Sequence, residues 1–200
     1  MIREENKMKK RLHLTFNAPL VLGFALACFI VTLVRTIGGE NGFTLFFSTY
    51  GFSWGKPLSY LRLFTHVLGH ANMGHLVNNM AFILLLGPIL EEKYSWKNLL
   101  AVILVTAVVT GLVHSLLFPH SYLLGASGVV FAFILMTSFT EFREGEIPLT
   151  FILVAVVYLG QQIYDAIAVQ DNISNLSHII GGLVGTVGGY LLNVKERRKY

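Results

Sequence analysis

The sequence predicts an all-α membrane protein, a bundle of six transmembrane helices with both termini in the cytoplasm. Of its 200 residues, 54% are hydrophobic and only 13% are charged, whereas soluble chains average about 25% charged residues. The hydrophobic residues lie in runs of about 20, the length at which a helix crosses a hydrocarbon core. This composition excludes a soluble globular domain, and it excludes a disordered chain because disorder needs low hydrophobicity and high net charge.

Six apolar segments are the predicted spans, and short polar or Gly/Pro-containing connections separate most of them. In chain order the spans are residues 18–37, 70–90, 96–117, 125–141, 147–166 and 174–193. The first follows a basic segment, as in a signal peptide, but its apolar run is too long and lacks a cleavage motif, so we expect it to be retained. The long connection 38–69 is rich in aromatic residues, which suits the membrane interface.

The distribution of Lys and Arg predicts the orientation. With six spans, both termini lie on one side, and that side carries 12 of the 15 basic residues. By the positive-inside rule this side is the cytoplasm. The predicted division is a basic cytoplasmic amino-terminal segment (1–17), the six-span domain (18–193) and a basic cytoplasmic tail (194–200). Because the basic residues flank apolar spans, the net charge of +4 indicates topology and does not predict nucleic-acid binding.

Polar residues inside the spans are candidates for function, since they are costly to place in a membrane. They form three clusters near the beginnings of the second, fourth and sixth spans, which run in the same direction and so hold the clusters at one depth. The clusters comprise His70, His75, Asn78 and Asn79, preceded by His66, then Gly125, Ala126, Ser127 and Gly128, and finally Ser177 and His178.

The chemistry that fits these clusters is nucleophilic catalysis by serine. Ser127 is a candidate nucleophile and His178 its base, since a serine hydroxyl needs a neighbouring group to take its proton. Ser127 lies near a helix amino terminus, where free backbone N–H groups suit an oxyanion hole. His75 and Asn79 are four residues apart, share one helix face and can add side-chain donors. Asp165 lies at the very end of the fifth span, and no other Asp or Glu lies in the outer half of a span. No carboxylate is therefore available to complete a triad, and we predict a Ser-His dyad.

Glycines in the sixth span predict its close packing. Gly181, Gly185 and Gly189 repeat at four-residue spacing, a pattern of small residues that lets membrane helices approach each other. We expect this face to pack against the fourth span and so to bring His178 to Ser127.

Two other classes of function are compatible with some of these residues, a metal site and a path for solutes. His66 and His70 have a spacing that could bind zinc, but no His-Glu-x-x-His motif and no nearby Asp or Glu accompany them, so neither a metal nor another cofactor is predicted. A small multi-span transporter or channel could use the same polar residues to line a path for solutes.

Over residues 61–190 the sequence resembles the rhomboid family of intramembrane serine proteases. His70, His75 and Asn79 have the spacing of the family's second-span motif, and Gly87 with Glu91 resembles its Gly-x-x-x-Glu. Two further segments match the nucleophile and base motifs, namely Gly125-Ala126-Ser127-Gly128 and His178-x-x-Gly181-x-x-x-Gly185.

The resemblance implies a role for each matching residue. Ser127 is the nucleophile, His178 the general base and acid, and the Ser127 N–H with His75 and Asn79 forms the oxyanion hole. His66 and His70 order the water-accessible cavity and the first loop. Phe131 stands where bacterial relatives often have Tyr, so its ring can stack on His178 without the hydroxyl's hydrogen bond. Gly125, Gly128, Gly181 and Gly185 are supporting residues.

The resemblance also implies the substrate and the setting. Substrates are single-span membrane proteins that enter from the lipid bilayer past the fifth span and residues 166–173. A non-catalytic rhomboid-like adaptor that binds such spans is the remaining alternative. With no additional soluble domain and no transit-type leader in this sequence, we expect a multi-pass protein of a bacterial or archaeal cytoplasmic membrane.

Overall fold

The computed structural model describes residues 15–140, 147, 149–168 and 172–197, and over these residues the fold is all-helical. The predicted all-α class is therefore confirmed. The helices are α1 (Pro19–Gly38), α2 (Glu40–Phe47), α3 (Pro57–Thr65), a 3₁₀ turn (His66–Leu68), α4 (Met73–Tyr94), α5 (Trp96–Leu117), α6 (Ser127–Thr137), α7 (Leu149–Ala168) and α8 (Asn172–Arg197). In the described part of the chain, α1, α4 and α5 are long and apolar enough to cross a membrane.

The connection between the first two spans contains α2 and α3, two helices that the sequence analysis did not predict. Gly39 adopts a φ of 83° and separates α2 from α1, while Pro57 begins α3. Buried Arg62 joins them: its Nε donates to the Leu45 carbonyl at 2.7 Å and its guanidinium lies 4.2 Å from the centre of the Tyr50 ring. A buried guanidinium with these partners gives the first loop a defined structure.

Helix α4 begins at Met73, so the prediction that the second span begins at residue 70 is wrong. The physical reason is a cap: the Asn72 side chain accepts a hydrogen bond from the backbone N–H of His75 at 2.8 Å. This contact satisfies one of the donors that a helix start leaves unpaired. His70 consequently lies in the segment that leads into the helix.

Helix α6 is central and short. Its 11 residues extend about 16 Å, whereas the predicted span ran from residue 125 to residue 141. Gly125, with a φ of 126°, is non-helical at the beginning, and residue 141 lies outside the described residues. The helix is buried on most sides, including Val129, Phe133 and Met136, as expected for a helix that is apolar all round.

The predicted packing of glycines between α6 and α8 is confirmed. A Cβ atom on Gly181 would lie 2.1 Å from the Gly128 carbonyl oxygen, and one on Gly185 would lie 2.2 Å from the Ala132 carbonyl oxygen. Real side chains cannot occupy such positions, so the two backbones are in direct contact through these glycines. Helix α8 continues to Arg197, beyond the predicted end at residue 193.

Near the end of α4, Glu91 joins this helix to the beginning of α1. Its carboxylate, buried to 6% exposure, accepts hydrogen bonds from the backbone N–H groups of Leu20 and Val21, both at 3.0 Å. Gly87 allows this approach, because a Cβ there would lie 2.7 Å from a Val21 methyl group. Glu91 therefore supplies the capping acceptor and the negative charge that favour a helix amino terminus.

We expect Glu91→Gln to lower the free energy of unfolding by about 1–3 kcal/mol. The amide can accept only one of the two N–H groups, and it also loses the charge that strengthens both bonds. Thermal unfolding of the purified protein in detergent measures the effect. Glu92→Gln is the matched control, since Glu92 is exposed, and equal melting temperatures for the two variants would contradict the capping role.

Candidate active site

Ser127 and His178 come from the amino-terminal parts of two helices in contact. Ser127 is the first residue of α6, His178 lies in the second turn of α8, and both side chains are half-buried. The Phe131 ring stacks on the His178 ring, with centroids 4.0 Å apart and planes 17° apart. Because Phe131 follows Ser127 by four residues, the two lie on one helix face. His178 therefore lies against the face of α6 that carries Ser127.

Backbone contacts on both sides of His178 fix its position along α6. Gly181 meets the backbone of Gly128, as described above, and the Ser177 carbonyl oxygen lies 3.5 Å from the point where Gly128 would carry a Cβ. Gly128, which follows Ser127, therefore contacts α8 at Ser177 and at Gly181, on either side of His178.

His75 and Asn79 converge on the segment that precedes Ser127. A Cβ on Gly125 would lie 2.6 Å from Cε1 of His75 and 3.8 Å from Nδ2 of Asn79. The Asn79 Nδ2 is buried and has no hydrogen-bond partner within the described residues. An unpaired buried donor carries an energetic cost, and here it lies beside the loop that leads into the candidate nucleophile.

His70 contacts both His75 and the loop that precedes Ser127. Its buried ring lies 5.1 Å from the His75 ring, edge to face, and its Nε2 lies 3.5 Å from the backbone N of Ala126. With Nε2 accepting from the Ala126 N–H, the proton is on Nδ1, which donates to the Leu68 carbonyl at 3.2 Å. His70 thus positions a candidate oxyanion donor and the loop before Ser127 relative to each other.

His66 is hydrogen-bonded to the loop that precedes Ser127. Its Nε2–H donates to the Ala107 carbonyl of α5 at 3.0 Å, and its own carbonyl accepts the Gly125 N–H at 2.9 Å. Burial lowers the pKa of His66 to about 4, against the opposing effect of the Ala107 bond. The side chain is therefore neutral at physiological pH, and the hydrogen bonds of His66 connect α5 to the loop before Ser127.

Sequence reasoning missed a further set of contacts that hold the loop between α5 and α6. Thr49 and Leu123 exchange two backbone hydrogen bonds of 2.9 Å, as in an antiparallel bridge, and the Thr49 hydroxyl lies 2.7 Å from that of Ser115. The Nε2–H of His114 donates to the Ser121 carbonyl at 2.9 Å. Because Thr49 is far along the sequence from both Ser115 and Leu123, no local signal could have identified its contacts with them.

Among the residues that the structure describes, no group of three or more His, Cys, Asp or Glu side chains could hold a metal ion. His66 and His70, the pair with zinc-like spacing, instead hydrogen-bond to backbone groups.

Comparison with known proteins then identifies the family. The family model described as the Rhomboid domain matches residues 57–195. The chain belongs to the rhomboid family. Rhomboid-related protein 1 of Caenorhabditis elegans is 32% identical to it over 150 residues, which cover 68% of this chain and 42% of that protein. The rhomboid match runs from α3 into α8 and includes every residue of the candidate site. With its apolar helices, the protein is a multi-pass membrane protein.

Proposed function

We propose that this rhomboid-family protein is an intramembrane serine endopeptidase that cleaves single-span membrane proteins in or near their transmembrane helix. Ser127 is the nucleophile and His178 the general base. The observation that carries the proposal is the stack of Phe131 on His178, which brings the imidazole against the face of α6 that begins with Ser127. The proposed location is the cytoplasmic membrane of a bacterial or archaeal cell.

In the proposed reaction, His178 takes the proton of the Ser127 hydroxyl as its oxygen attacks the scissile carbonyl carbon. The carbonyl oxygen becomes an oxyanion, and His178 returns the proton to the amine that leaves. Water then attacks the acyl-enzyme, with His178 again as base, which frees the new carboxyl group and restores Ser127.

Three donors are available for the oxyanion. The Ser127 N–H belongs to the first turn of α6 and has no acceptor within its own helix, and the helix dipole favours negative charge there. The unpaired Asn79 Nδ2 is the second donor, and His75, beside Gly125, is the third. Donors of this kind contribute about 10²–10³ each to the rate.

The proposal includes six spans with both termini in the cytoplasm. The three helices of membrane-spanning length and the positions of α6, α7 and α8 support this count, and the distribution of Lys and Arg supports the orientation. Hydrolysis needs water, and polar residues at membrane depth are tolerable where they line a wet cavity. The beginnings of α4, α6 and α8 therefore enclose a vestibule open to the outside.

The test is cleavage of a model single-span substrate by the purified protein in liposomes. We expect Ser127→Ala to lower the rate by about 10⁴-fold or more and to abolish labelling by a fluorophosphonate. Ser138→Ala is the control, because Ser138 lies at the other end of the same helix and bonds to the Ile134 carbonyl. Cleavage that survives Ser127→Ala would overturn the serine mechanism.

The same liposomes distinguish the alternatives. A flux of solute that is unaffected by Ser127→Ala would indicate a transporter or channel. Binding of the substrate span without cleavage, in a preparation that fluorophosphonate does not label, would indicate an adaptor.

A further inference from the structure

A groove of about 430 Å³ runs along the surface of the protein where α5 and α8 meet. Ten described residues line it, and all except Asn98 are apolar. On α8 it extends from Leu183 to Leu192, and it therefore begins more than one turn after His178 and leads away from the candidate active site. Val105, Leu183 and Leu191 on its walls are about half exposed, so the groove is open to the surrounding lipid.

Small residues create the groove. Gly188 has no side chain, and a Cβ there would already lie 3.3 Å from a Val102 methyl group. Ala101 on the facing helix is exposed and carries only a methyl group. The larger side chains on both sides leave an apolar channel between them, the kind of site that accepts a flexible hydrocarbon.

Two lysines lie at one end of this groove. Helix α5 begins where α8 ends, so Asn98 and Leu192 mark the same end. Lys97 precedes Asn98, Lys195 lies one turn after Leu191, and both are exposed. The Lys97 ammonium lies 5.5 Å from the centre of the Trp96 ring, which is half exposed. Tryptophan and lysine at a helix end are typical of the level of the lipid headgroups.

We propose that this groove binds an acyl chain of an anionic glycerophospholipid from the surrounding bilayer, with the lipid's phosphate between Lys97 and Lys195. The chain covers the apolar walls, and the two ammonium groups attract the negative charge of the phosphate. Basic sites between transmembrane helices bind anionic lipids in this way. The inference depends on the membrane setting alone and is independent of the proposed peptidase activity.

The test measures which lipid the full chain retains. The protein is reconstituted into vesicles of equal parts dioleoyl phosphatidylglycerol and dioleoyl phosphatidylcholine, extracted in mild detergent and examined by native mass spectrometry. We expect retained phosphatidylglycerol to exceed phosphatidylcholine about fivefold for each lysine that contributes. The double variant Lys97→Gln/Lys195→Gln should bring the ratio to about one, and Ala101→Phe, which fills the groove, should lower retention of both lipids.

Two controls make the result specific. Lys56→Gln removes an exposed charge from the first loop, and Leu104→Phe enlarges an exposed residue of α5 outside the groove; both should behave as the wild type. The proposal is overturned if the wild type retains both lipids equally, if Lys56→Gln lowers the ratio as much as the double variant, or if Ala101→Phe and Leu104→Phe retain the same amount of lipid.

Discussion

His178→Ala is expected to abolish cleavage, whereas Asn79→Ala is expected to reduce it by about 10²–10³-fold. The imidazole is the group that takes the Ser127 proton in the proposed mechanism, and α6 itself carries no carboxylate or other basic side chain that could replace it. Asn79 supplies one of three candidate donors, and the Ser127 N–H and His75 still face the oxyanion without it. The two variants therefore test different roles at one site.

Initial rates of substrate cleavage in liposomes measure the difference, and the rate of fluorophosphonate labelling reports separately on the reactivity of Ser127. His178→Ala should lose both, while Asn79→Ala should keep slow labelling. His120→Ala is the matched control because His120 is exposed in the loop after α5. Equal losses for His178→Ala and Asn79→Ala would contradict the assigned roles.

Gly181→Ala is expected to destabilise the protein by about 3 kcal/mol or more. The added methyl carbon would lie 2.1 Å from the Gly128 carbonyl oxygen, and backbone atoms cannot move aside as the end of a flexible side chain can. Helices α6 and α8 must therefore separate, which also draws His178 away from Ser127. A displacement of about 1 Å can cost about 10²-fold in rate, so activity should fall even below the melting temperature.

The neighbouring glycine provides the control for this prediction. A Cβ on Gly182 would meet its nearest atom, a Leu135 side-chain carbon, at 3.8 Å, which is an ordinary contact. Thermal unfolding in detergent and cleavage in liposomes should show a large effect for Gly181→Ala and little for Gly182→Ala. If both variants melt and cleave alike, close contact between the backbones does not hold the site together.

The position of a helix was predictable from the sequence where local residues mark both ends of its apolar run. Helix α5 spans Trp96–Leu117, as predicted, because Ser95 precedes it and Pro119, which cannot continue a helix, follows its apolar run. At α4 the prediction of the start was wrong because hydropathy does not register the Asn72 cap. In the first loop, α2 and α3 were not predicted, since they are too short to cross a membrane and depend on partners such as Tyr50 and Leu45.

In the candidate site too, some residues could be predicted from the sequence and others could not. The sequence motifs indicated Ser127, His178, His75 and Asn79, and the glycine spacing indicated that α6 and α8 pack closely. Their assignment to a catalytic mechanism remains a proposal. The supports around them had no local signal: the bridge between Thr49 and Leu123 joins segments that are distant along the chain.

The membrane class, the approximate order of the helices and the identity of the candidate residues follow from the sequence alone, because hydropathy, charge and motif spacing are local properties of the chain. The stack of Phe131 on His178, which the resemblance only made possible, is established by the packed structure. The same holds for the contacts of His70 with His75 and the loop before Ser127, and for the cap that Glu91 provides to α1. Each of these depends on which backbone or side-chain group comes within hydrogen-bonding or van der Waals distance once the helices have packed, and helix packing is set by the whole molecule.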